Sequence, residues 1–138
     1  SAQDPNAFAL MLDHNGNIAE GRGSNVFFVS DGCLYTPQER YVLPGISRQT
    51  VKELARDISL PCIEKDYDLY DAYNSDEAFI TSTSFCICPC RSVNGRTFRD
   101  NNVPGPITEK LMKSYVDLVG FDWVSQYTRY PAKDVPRL

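Results

Sequence analysis

No apolar run in this chain approaches the roughly 20 residues that a bilayer-spanning helix needs. The opening residues also lack the basic stretch followed by an apolar one that marks a secretion leader. Positive charge is in short supply: 14 Lys and Arg stand against 18 Asp and Glu, a net charge of -4. That balance argues against nucleic acid and against anionic membrane surfaces as partners. Histidine occurs once, at His14, and the five cysteines are an odd number. Cys86-Ile87-Cys88-Pro89-Cys90 has the look of a metal knuckle, but no fourth ligand stands at a zinc-binding spacing, so no metal site is expected. The thiols read instead as reduced, small and mostly buried, and the expected compartment is the cytoplasm.

What is present is ordinary globular composition, 42% hydrophobic and 23% charged over 138 residues. This is the size of one domain, so residues 1–138 are read as a single unit. Phe8 to Asp13 predicts a buried strand, turned at Asn15-Gly16, the strongest short hairpin signal. Asn25 to Ser30 and Cys33 to Thr36 predict two strands about an Asp31-Gly32 turn, with Gln38 to Tyr41 a polar loop. Val51, Leu54, Ala55 and Ile58 then recur at helical spacing until Pro61 ends the pattern. Cys62 to Glu64 predicts a short strand, Leu69 to Tyr73 a helical turn, and Glu77 to Thr81 a buried strand. Asn94-Gly95 joins Cys90–Val93 to Arg96–Phe98 as another hairpin. Pro106 suits the first position of a last long helix, whose apolar face carries Ile107, Leu111, Tyr115 and Leu118, with Met112, Val116 and Val119 beside them. Pro131 and Pro136 mark a loose tail. The expected fold is α/β (mixed α+β): a hairpin-rich mixed sheet with flanking helices.

Three segments carry chemistry. Glu20-Gly21-Arg22-Gly23-Ser24-Asn25 sets one carboxylate in a glycine-flanked turn, although an acid in a surface turn is common. Leu43-Pro44-Gly45-Ile46-Ser47-Arg48 opens straight into a helix, where free N–H groups and the helix dipole favour an anion. Ser47 there can add a donor or simply cap the helix. Thr81-Ser82-Thr83-Ser84 ends a strand in four hydroxyls, suited to phosphate or carboxylate but equally to a plain sheet edge.

In that order and at those separations the three segments resemble the cofactor-binding half of the class IV aminotransferases, pyridoxal 5'-phosphate (PLP) enzymes that include the branched-chain and D-amino-acid aminotransferases. The similarity runs from about Phe8 to Thr108, through Pro89, Arg91-Ser92-Val93-Asn94-Gly95 and Gly105-Pro106. It departs from the family pattern at Ser47, which replaces threonine, at Ser82, which replaces glycine, and at Cys90, where valine is common. The resemblance implies the fold of that family's large domain. It implies that Glu20 meets the cofactor's ring nitrogen and that Asn25 braces the turn. Leu43 would pack on the ring, and the Gly45 turn would present the amides of Ile46 and Ser47 to the phosphate. Thr83 would be a further phosphate ligand and Ser84 a contact for the substrate carboxylate. The implied reaction is amino transfer between an amino acid (or amine) and a 2-oxo acid, in a homodimer. Related readings are an aminodeoxychorismate-lyase-like enzyme and a non-catalytic PLP- or phosphate-binding module.

The family's Schiff-base lysine precedes the residue matching Glu20, and here no lysine does. Lys52, Lys65, Lys110, Lys113 and Lys133 read as solvated surface charges. The chain is therefore expected to be the large-domain part of a longer enzyme, lacking the small N-terminal domain and inactive alone.

Overall fold

A computed structural model describes residues 6–129. The proline-bearing tail and Lys133 lie outside the described residues. Five strands form the main sheet in the order β5-β4-β3-β6-β7. They are β3 (Asn25–Ser30), β4 (Cys33–Thr36), β5 (Cys62–Glu64), β6 (Glu77–Ser82) and β7 (Cys86–Cys90). Only β4 and β5 run parallel; every other neighbouring pair is antiparallel, so the sheet is mixed. The parallel step needs a crossover, and α1 (Ile46–Asp57) supplies it. β3 and β6 are central and buried on both faces, hence their nearly unbroken apolar sequences.

One sheet face carries the three longest helices. Phe27, Val29 and Phe79 pack there against Val51, Leu54 and Ala55 of α1, and against Leu111 and Tyr115 of α3 (Pro106–Val119). Trp123 of α4 (Trp123–Arg129) closes that layer, edge-on to Tyr115. The opposite face holds Val26, Phe28, Ala78 and Ile80 beneath Ile18 of β2 (Ile18–Gly21), Tyr67, Phe98 and Ala72 of α2 (Leu69–Tyr73). β1 (Leu10–Leu12) pairs with β2, and β8 (Ser92–Val93) with β9 (Arg96–Thr97), each as a small separate hairpin.

Some expectations are corrected. The first strand is only three residues long and is not buried: it pairs with β2 alone, which leaves Met11 and Leu12 over 40% exposed. Gln38–Tyr41 is not plain loop, because Glu39–Tyr41 closes a single 3-10 turn. Leu118 and Val119 stand out to solvent, since the packed face of α3 ends with Tyr115 and half-buried Val116. All five cysteines keep some exposed surface as whole residues. Among the described residues no helix is long and apolar enough to cross a membrane, and no group of three or more His, Cys, Asp or Glu is placed to hold a metal ion.

Candidate cofactor site

The sequence segments singled out above converge at one end of the main sheet, where β3 begins and β6 ends. Asn25 opens β3 directly opposite Thr81 of β6. Its side-chain amide donates to Glu20 Oε2 at 3.2 Å and to the Leu43 carbonyl at 3.0 Å. The Leu43 amide donates to the same Glu20 oxygen at 2.9 Å. One asparagine thus ties the acid of β2 to the turn that opens α1. Glu20 Oε1 accepts no hydrogen bond among the described residues, so one carboxylate oxygen remains for a cationic N–H.

The α1 start is shaped for close approach. Gly45 is the N-cap and its carbonyl receives the first helical bond, from Gln49 at 3.0 Å. A Cβ built on Gly45 would collide with Asn25 Oδ1, which is why no side chain fits. No acceptor among the described residues engages the N–H groups of Ile46 and Ser47, and they are first-turn amides at the positive end of the helix dipole. Ser47 does not cap the helix: its hydroxyl donates to the Ser82 carbonyl at 2.9 Å. Leu43 and Ile46 are 71% and 79% exposed, apolar side chains held outward beside these amides. Thr83 and Ser84 lie exposed in the turn between β6 and β7, where the Ser84 amide donates to Ser82 Oγ at 3.2 Å.

Beneath the turn lies a support that sequence reasoning missed. Arg48 is 1% exposed and donates to Glu39 at 2.9 Å, to Glu64 at 3.0 Å and to the Pro37 carbonyl at 3.0 Å. It anchors the 3-10 segment and β5 to the first turn of α1. The signal was present, since Arg48 precedes Val51 and Ala55 at helical spacing and so falls on the helix's inner face. Lys52 is corrected from a solvated charge to a partner of Glu64 and, at 3.8 Å, of Glu39. Lys65 pairs with Asp71 at 3.7 Å and lies 5.1 Å from the ring centres of Tyr35 and Tyr67. Lys113 pairs with Glu109 at 3.0 Å. None of these four ion pairs involves Glu20 or the residues 43–45 that open α1.

A carboxylate oxygen, two unengaged helix amides and exposed hydroxyls within one sheet end can grip a ligand with a cationic ring nitrogen and an anionic tail. The family model for amino-transferase class IV matches residues 1–93. The chain belongs to the class IV aminotransferases. It is 43% identical over 111 residues to the branched-chain-amino-acid aminotransferase of Pseudomonas aeruginosa, covering 80% of this chain and 36% of that protein. To the enzyme of the same name in Escherichia coli it is 36% identical over 110 residues, covering 79% of this chain and 35% of the relative. The crystal structure of the Escherichia coli enzyme superposes with a TM-score of 0.77 at 35% identity, covering 80% of this chain and 37% of that one. The branched-chain aminotransferase of the archaeon Thermoproteus uzoniensis, crystallised with norvaline, gives 0.74 at 36% identity, covering 82% and 37%. This class IV chain thus spans little more than a third of the length of these relatives, and its mixed α/β fold is theirs.

Proposed function

We propose that this chain forms the cofactor cradle of a branched-chain aminotransferase that moves an amino group between an amino acid and a 2-oxo acid with PLP. The observation that carries the reading is Glu20, with Oε2 fixed by Asn25 and Leu43 and Oε1 left open beside the unengaged amides of α1. PLP, when bound, supplies the electron sink that lets the Cα proton of an amino acid depart. Glu20 Oε1 holds the proton at the ring nitrogen, which keeps the ring cationic. The amides of Ile46 and Ser47, with Thr83, take the phosphate; Leu43 covers the ring; Ser84 meets the substrate carboxylate. Asn25 holds the acid and Gly45 lets the turn close upon it.

The lysine that this chemistry requires, and the smaller domain that selects substrate, we assign to parts of the longer protein outside these 138 residues. The assembly is proposed to be a cytoplasmic homodimer, the dimer supported by the exposed apolar side chains of Leu118 and Val119 at the end of α3 and of Phe121 just beyond it. Light scattering at micromolar concentration should show at least a dimer, and a monomer counts against it.

A PLP titration of the purified chain, followed by absorbance, tests the cradle. Saturable binding that weakens at least about tenfold in Glu20→Ala is expected, in keeping with loss of a hydrogen bond to a charged group. Borohydride reduction and intact mass should then show no adduct on any lysine. No binding would overturn the reading, and a stable adduct on one lysine would overturn the assignment of that lysine elsewhere.

A further inference from the structure

Ser47 Oγ stands between two elements. It donates to the Ser82 carbonyl at 2.9 Å and lies 3.5 Å from the Tyr115 hydroxyl, which donates to it. A serine hydroxyl has one proton, and here Ser82 takes it. The side chain therefore has none left for an anion, and only the Ser47 amide faces the cradle as a donor. What the hydroxyl does is latch the first turn of α1 to the last residue of β6. Thr83 follows immediately, so the latch joins the two arms proposed to hold a phosphate.

Tyr115 belongs to α3, 68 residues away in sequence from Ser47, and is buried on the sheet's helical face. Cys86, at the start of β7, packs against the core cluster that contains Tyr115, so that cluster reaches the far flank of the β6–β7 turn as well. Thr81 Oγ1, one residue before Ser82, does not duplicate the link: it is buried without a partner among the described residues. We propose that Tyr115 is a positioning residue of the anion cradle, directing the Ser47 hydroxyl onto Ser82 so that α1 and the Thr83 turn close on the phosphate together. It touches neither cofactor nor substrate. The proposal rests on the cofactor reading above and concerns two side chains, those of Ser47 and Tyr115, which that reading leaves without a role.

The test uses pyridoxamine 5'-phosphate, which needs no lysine to bind, with calorimetry and the phosphorus NMR shift of the bound ligand as readouts. Tyr115→Phe is expected to weaken binding about fivefold, the worth of one hydrogen bond, and to move the phosphorus signal. Ser47→Ala should do the same, Ser47→Thr should restore wild-type values, and the double variant should bind no more weakly than Ser47→Ala, because the tyrosine acts only through the serine. Wild-type affinity and shift in Tyr115→Phe would overturn the proposal, as would independent losses that multiply in the double variant. Should Tyr115→Phe fail to fold, the contrast of Ser47→Ala with Ser47→Thr decides: equal affinities overturn the latch. Absence of binding to the wild-type chain overturns the cofactor reading and this one with it, whereas wild-type binding with unaffected variants overturns this one alone.

Discussion

Asn25 and Gly45 are fitted to one another: a Cβ on the glycine would collide with the asparagine's Oδ1, while the asparagine's other amide atom holds Glu20 and Leu43. The conflict is with a side chain locked by two hydrogen bonds, so it cannot relax by a simple swing. Gly45→Ala is expected to cost about 1–3 kcal/mol of stability, the usual penalty of overpacking. It should also weaken pyridoxamine 5'-phosphate binding, because Glu20 loses its brace. Urea unfolding beside a binding titration checks both, and an alanine variant with wild-type stability would contradict the fit.

Glu77 is 5% exposed and fastens α3. Its two oxygens accept the Ile107 amide at 3.0 Å and the Thr108 amide at 2.8 Å, at the helix end where positive charge gathers. Gly105 permits this contact, since a Cβ there would run into the Glu77 carboxylate. Glu77→Ala leaves both N–H groups without that acceptor and should cost about 3 kcal/mol. Glu77→Gln keeps one acceptor oxygen and should cost less. Urea midpoints of the two variants should fall in that order.

Acid should loosen the support beneath the α1 turn. Burial raises the Glu64 carboxyl, but hydrogen bonds from Lys52 and Arg48, with their charges, outweigh burial and hold it below its ordinary 4.5. A carboxyl depressed in the folded state contributes stability above its unfolded value and loses it as pH falls through the folded one. Glu64→Gln should therefore be less stable than wild type at neutral pH. The gap should close as pH drops below 4.5. Urea midpoints across that range measure it, and a gap that stays constant would rule out the linkage.

The cysteines should differ in reactivity. Burial first, then the neighbouring Cys88, push the Cys90 thiol up to about 12. A thiol so far above neutrality carries almost no thiolate and is a poor nucleophile. Iodoacetamide at mildly alkaline pH should leave Cys90 unmodified in the native protein and alkylate it in urea, as peptide mass spectrometry would show.

Much of the fold was legible because its signals are local. Asn94-Gly95 closes its hairpin with both residues at positive φ, 50° and 77°, as such turns demand. The period of α1 and the proline at the start of α3 are likewise written in neighbouring residues. What escaped was set by distant partners. Ser47 carries a hydroxyl suited to capping, yet Ser82, 35 residues later, claims it. Arg48 drew no attention beyond its place in a motif, because the carboxylates of Glu39 and Glu64 meet it only through tertiary closure. Met11 is apolar within an apolar run, but β1 has a single neighbouring strand and its side chain stays exposed. At the candidate site, motif order identified the segments, while the bonds that join them come from the folded chain.

Those bonds carry a kinetic consequence. The cradle's ties span 18 residues from Asn25 to Leu43, 35 from Ser47 to Ser82 and 68 from Ser47 to Tyr115. No short fragment of the chain can preform them, because each requires a loop to close before any contact compensates the lost chain entropy. The cradle therefore forms only with the long-range closure of the chain, like the β3–β6 pairing beside it. A refolding chain is expected to regain helix signal before the capacity to shift a bound phosphate reporter.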